Sequence, residues 1–275
     1  MGATTVNPLD YDFMQRALLA ATIVGVLAPM VGVFLVQRRL ALLGDGMGHV
    51  ALAGVGLAFL LGTQPVATAL IVAIAGAAFV EIIRAKSRAV GDLALALVFY
   101  GGIAGGVLLA SLASGSSSTA LNQYLFGSLA TVASGDLVAL LVAAVAVVLV
   151  LLLLGRKMFA VSLDPDLAHV QGIRVQWISL LISVLASVVV VIGMRTVGLL
   201  LVAAIMVVPV AAAQQVSRSF ASTAAVAVAV GLVAAVAGLL QAFYLDVPSG
   251  PTIVMMALAA YVLAAVGSRF IGART

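Results

Sequence analysis

The stretch Pro65-Val-Ala-Thr-Ala-Leu-Ile-Val-Ala-Ile-Ala-Gly-Ala-Ala-Phe-Val80-Glu81-Ile-Ile-Arg84-Ala-Lys86-Ser-Arg88 decides the fold. No residue from Pro65 to Val80 is charged, and a basic cluster follows. The run is apolar on every face, whereas a strand of a membrane barrel would alternate apolar and polar residues. It therefore reads as a helix long enough to cross a bilayer, ending in a basic loop.

The same pattern repeats along the chain. Spans are expected at about 14–36, 46–62, 66–83, 91–112, 136–154, 175–193, 197–214, 221–241 and 252–267, with boundaries good to a few residues. Composition agrees. Of 275 residues 65% are hydrophobic, enough for about nine spans of about 20 residues each. Only 8% are charged, against about 25% in soluble domains. That excludes a soluble enzyme, a nucleic-acid-binding domain and a disordered chain. The mean hydropathy is +1.33. The fold class is all-α, a polytopic transmembrane helical bundle of about nine spans, or eight if the first two are divided differently. Residues 1–13 form an N-terminal tail, 14–267 the membrane domain and 268–275 a cytoplasmic C-terminal tail.

The net charge of +4 reports basic loops, which orient the chain in the membrane. If the loop after the first span is cytoplasmic, that side holds Arg38, Arg39, Arg84, Lys86, Arg88, Arg156, Lys157, Arg174, Arg218, Arg269 and Arg274. Only Arg16 and Arg195 then lie outside. Nine spans place the N-terminus outside. The first 13 residues carry Asp10 and Asp12 but no basic residue, so no cleaved signal peptide is expected. There is no cysteine, which removes disulfides, thiolate metal sites and iron–sulfur clusters.

Ionisable side chains at membrane depth cost about 2.5–3.5 kcal/mol on insertion scales, so those present need a reason. Asp45 and His49, in Leu43-Gly-Asp45-Gly-Met-Gly-His49, lie four apart and share one helix face. A carboxylate and an imidazole suit Zn²⁺, Mn²⁺ and Fe²⁺ alike. One chain supplies two ligands where a tetrahedral site takes four; a twofold dimer with this face on its axis would supply two Asp and two His. The plainer reading is that Asp45 caps the second span and His49 packs at a helix contact.

Other polar groups are weaker candidates. Glu81 is expected to pair with Arg84 at the membrane interface, His169 to be exposed and Arg195 to lie at an outer span end. Pro29 and Pro209 fall within spans and are expected to kink them. The nine methionines suit core filling. Asp164, Pro165 and Gly172 are cap residues for a short helix over 165–171. It is either a capped surface helix or a coupling helix moved by a cytoplasmic motor. The segment from Ser114 to Asp136 reads as an outer loop with a short interfacial helix around Asn122 to Phe126, or as part of an outer gate. No G-x-x-x-x-G-K-[ST] and no H-E-x-x-H occur, so ATP binding by a P-loop and zincin chemistry are absent.

Arg38-Arg39-Leu-Ala-Leu-Leu-Gly-Asp45-Gly-Met-Gly-His49-Val-Ala-Leu-Ala-Gly54 resembles the signature segment of the zinc/manganese-type permeases of ABC transporters. Further similar stretches follow in order. They are Tyr124-Leu-Phe-Gly127-Ser-Leu, Asp164-Pro165-Asp-Leu-Ala168-His-Val-Gln-Gly172-Ile, Val197-Gly198-Leu-Leu-Leu-Val-Ala with Pro209, and Pro248-Ser-Gly250-Pro251-Thr252. The resemblance implies a permease like those of type II ABC importers, in the bacterial inner or plasma membrane. It implies a homodimeric pore, a cytoplasmic ATP-binding subunit on each copy and an extracytoplasmic metal-binding protein that delivers the ion. No cofactor is held permanently, and Zn²⁺, Mn²⁺ or Fe²⁺ is the substrate. Asp45 and His49 match the family's metal contact. Asp164, Pro165, Ala168 and Gly172 match its coupling region. Where many relatives carry an acidic residue after Phe-Gly, this chain has Ser128. A secondary cation transporter working without an ATPase, and a non-transport membrane scaffold, are the rival readings. The first needs buried acids in several spans; the second leaves the Asp/His pair unexplained.

Overall fold

A computed structural model describes residues 7–86, 88–113, 124–125 and 133–272. The expected outer-segment helix near Asn122, the Ser128 position and the tail beyond residue 272 lie outside these residues, apart from Tyr124 and Leu125. The helices are α1 (Asp12–Gln37), α2 (Leu43–Leu61), α3 (Pro65–Lys86), α4 (Arg88–Leu112), α5 (Ser134–Leu163), α6 (Pro165–Val170), α7 (Val175–Val197), α8 (Leu199–Val216), α9 (Phe220–Leu245) and α10 (Ser249–Gly272). Among the described residues no strand occurs, and all of these helices except α6 are long and apolar enough to cross a membrane.

The bundle has a core and a shell. About two thirds of the most apolar windows of α1, α2 and α7 are buried (67% each), against 17% of those of α5 and α10. The poorly buried helices expose many large apolar side chains, including Ile71, Leu97, Val142, Leu152 and Leu263. In water such a surface would drive association; in a bilayer it meets lipid. The α2 helix packs on α3, α4, α7 and α8, so its face is set by four neighbours.

Interhelical contacts fix which ends lie together. Gln37, Leu163 and Arg218 border one cavity, and Arg38 reaches Ser179. The C-terminal ends of α1, α5 and α8 and the start of α7 and α9 therefore share one end, here called the basic end. At the opposite end Arg195 in α7 pairs with Asp136 in α5 at 2.9 Å. Arg195 lies at the span end, as expected, and ties two helices there.

Two corners are built by the same local device. At the end of α1, Leu40 N–H bonds to the Leu35 carbonyl and Arg39 N–H to Val36, the paired bonds of a Schellman motif. Arg39 takes the left-handed conformation there (φ 59°), which glycine usually fills. At the end of α6, Ile173 N–H bonds to Ala168 and Gly172 N–H to His169, with Gly172 at φ 80°. The Asp164 carboxylate accepts from Asp166 and Leu167 N–H at 2.9 and 3.0 Å. The helix thus runs 165–170, with Gln171 as its cap.

Several boundaries differ from expectation. The fifth span continues to Leu163 instead of ending near 154, so Arg156 and Lys157 sit on the helix and not in a loop. Both are exposed; such long basic chains hold their charge in water while the stem covers apolar surface. The second span begins at Leu43 instead of 46. Pro29 and Pro209 lie within unbroken α1 and α8.

Candidate metal site on the second helix

The segment Gly44 to Gly48 is helical although glycine weakens a helix, and its glycines let neighbouring helices come close. A Cβ on Gly48 would collide with Leu199 of α8. Across the site, a Cβ on Gly102 of α4 would lie 2.7 Å from the backbone of His49 and Val50. The absence of side chains at both points lets α2 sit between α4 and α8 with its polar residues at a fixed height. His49 is six residues into α2, about 9 Å from its start at 1.5 Å per residue.

Asp45 does not cap α2. The cap position is Leu42, and it makes no side-chain hydrogen bond. Asp45 stands in the first turn, where the positive end of the helix favours a carboxylate. Its Oδ1 is 3.6 Å from His49 Nε2. That is too long for a hydrogen bond, yet close to the roughly 3.4 Å separating two ligands of one tetrahedral ion with bonds of about 2.0–2.2 Å. The His49 ring meets Phe99 edge to face at 4.7 Å, and its Nδ1 is buried without a hydrogen-bond partner. His49 is 12% exposed and Asp45 31%, so the pair opens on one side of the chain. No group of three or more His, Asp or Glu able to hold a metal occurs among the described residues.

The four coupling candidates divide by role in the local fold. Asp164 caps α6, Pro165 starts it, and Gly172 ends it. Ala168 is 1% exposed and anchors the helix to the bundle, while Asp166, Leu167 and Val170 face outward. His169 is exposed, as expected.

One polar cluster escaped the sequence reading. Ser179, Ser183 and Ser187 are buried on one face of α7. Arg38 Nη2 donates to Ser179 at 2.7 Å, and Ser183 donates to Glu81 at 2.7 Å. Arg84 completes the cluster with a 3.1 Å ion pair to Glu81. The expected Glu81–Arg84 pairing is present, and α7 covers most of Glu81, whose side chain is 10% exposed. Burial lowers the Arg38 guanidinium from its ordinary value, and Glu81 opposes this. The four-residue spacing of the serines was the available signal, since it places them on one helix face.

The family described as the ABC 3 transport family matches residues 10–268. The chain belongs to the ABC 3 transport family. Among relatives of this ABC 3 chain, the manganese transport system membrane protein MntC of Listeria monocytogenes is 30% identical over 93% of this chain and 91% of its own length. The chelated iron transport system membrane protein YfeD of Yersinia pestis is 32% identical over 94% and 86%. A solved structure of PsaBC from Streptococcus pneumoniae in complex with Fab superposes with a TM-score of 0.85 at 28% identity, covering 97% of each chain.

Proposed function

We propose that this chain is the membrane-spanning permease subunit of an ABC importer for a divalent transition metal ion, Mn²⁺, Fe²⁺ or Zn²⁺, working in the bacterial plasma membrane. The observation that carries this reading is the Asp45–His49 pair, its donor atoms 3.6 Å apart on a helix held by four others. An ion that sheds its water needs replacement oxygen and nitrogen donors. A second copy of the chain, with the same open face, brings the set to two carboxylates and two imidazoles. A site shared between copies can also be taken apart, which transport requires.

Energy comes from a separate ATP-binding subunit, because this chain has no P-loop. That subunit docks on α6 at the basic, cytoplasmic end. An extracytoplasmic metal-binding protein delivers the ion at the opposite face. Residues 14–267 act as one permease domain. An ion-gradient carrier would need buried acids in several spans, and among the described residues no Asp or Glu falls in the fully buried class.

The test is cellular metal uptake by Asp45→Ala and His49→Ala at matched expression. Loss of uptake in both, with membrane insertion intact, is expected. Normal uptake by both would refute the ligand role.

A further inference from the structure

The structure assigns a second binding site, independent of the metal pair: the cavity at the basic end between α1, α5, α8 and α9, which we infer holds the phosphate-bearing headgroup of an anionic phospholipid of the cytoplasmic leaflet. The cavity has a volume of about 290 Å³. That lies just below the range of pockets for whole drug-sized ligands, about 300–1,000 Å³, and suits a headgroup, not a complete lipid.

Its wall is divided. On one side stand Gln37, Gln214, Ser217 and Arg218. Arg218 is exposed and makes no ion pair or hydrogen bond among the described residues. The Ser217 hydroxyl is buried and has no hydrogen-bond partner, an unfavourable state that an anionic acceptor would relieve. No acidic side chain lines the cavity. The cavity also meets the first turn of α9, a 26-residue helix, whose positive end favours an anion. Ser219 caps only part of that turn, bonding Ser222 N–H.

The other side is aromatic. Phe159 of α5 and Phe220 of α9 meet at a tilt with ring centroids 4.7 Å apart, and behind them Phe34 of α1 meets Phe220 at 5.3 Å. A free cation, an unsatisfied hydroxyl, two amides and a helix N-terminus therefore face an apolar floor. Two of its residues, Phe159 and Leu163, belong to α5, whose most apolar window is only 17% buried. A soluble phosphate has no use for that floor. A phospholipid uses both halves, and basic pockets between spans on the cytoplasmic side suit anionic headgroups.

The test uses the purified transporter in bilayer nanodiscs of equal phosphatidylglycerol and phosphatidylcholine, followed by native mass spectrometry of retained lipid. Phosphatidylglycerol is expected to be retained preferentially. Arg218→Gln is expected to weaken retention roughly tenfold, the loss of a charge-assisted hydrogen bond, and Arg218→Lys to recover part of it. Arg174→Gln, which removes an exposed cation outside the cavity, is expected to change nothing. Unchanged retention in Arg218→Gln, or no preference between the two lipids, overturns the proposal. Displacement of the lipid by inorganic phosphate would assign the site to a soluble anion and overturn it too. So would intact lipid retention with loss of the ATP-binding subunit in Arg218→Gln, which would make the cavity a protein-docking site.

Discussion

His49 is held in place from behind by a residue that has no side chain. Gly102 brings the backbone of α4 against the backbone of α2 at His49 and Val50, and Phe99, one turn earlier, meets the imidazole. A methyl group at 102 would have to move two helix backbones, and overpacking of this kind costs about 1–3 kcal/mol. Its neighbour Gly101 has open space where a Cβ would go. Gly102→Ala is therefore expected to lower the thermal midpoint of the purified protein and reduce metal uptake, while Gly101→Ala lowers neither. Equal effects from the two substitutions would show that the approach of α4 does not position His49. The Asp/His spacing alone disclosed the pair. The role of Gly102 was not legible, because a glycine in an Ala- and Gly-rich span looks the same whether it faces lipid or a backbone.

At the scale of elements, α6 is the clearest case of local sequence writing local structure. A six-residue helix is too short to persist on its own. It is stabilised here by the Asp164 cap, by the Schellman bonds at Gly172 and by burial of Ala168. The cap at Asp164 and the end at Gly172 were readable as residue types at fixed positions, whereas the burial of Ala168 was not. Asp164→Ala is expected to cost about 1 kcal/mol and to loosen α6 while leaving the spans intact. Asp164→Asn, which can still accept the same bonds, is expected to be mild. Co-purification of the ATP-binding subunit reads the difference. A normal complex with Asp164→Ala would separate the cap from docking. In contrast, α5 was misjudged in length, because its last nine residues mix apolar and basic types and periodicity does not mark where a helix leaves the bilayer.

For the whole molecule, the central question is what covers the open side of Asp45. The chain has no cysteine, so Asp45→Cys introduces its only thiol. In native membranes a short bifunctional thiol reagent is expected to link two Asp45→Cys chains across a twofold axis. Ile71→Cys, which sits on the apolar outer surface of α3, is expected to link poorly. The reverse ranking would place α2 away from the axis and end the shared-site reading.

The number of spans, their helical nature, the basic end and the capped helix between α5 and α7 were all determined by sequence. Each depends on residue type within one or two turns: apolar length, charge at loop ends, cap chemistry. Tertiary structure alone decided that α1, α2 and α7 form the core, that Glu81 meets Ser183 and that Arg195 finds Asp136. It also brought Gln37, Phe159 and Arg218, from three separate stretches, to one cavity. In a chain whose spans are apolar on every face, hydrophobic pattern does not mark which face meets lipid and which meets protein. That choice is made by close packing of small residues and by a few polar contacts between helices distant in sequence.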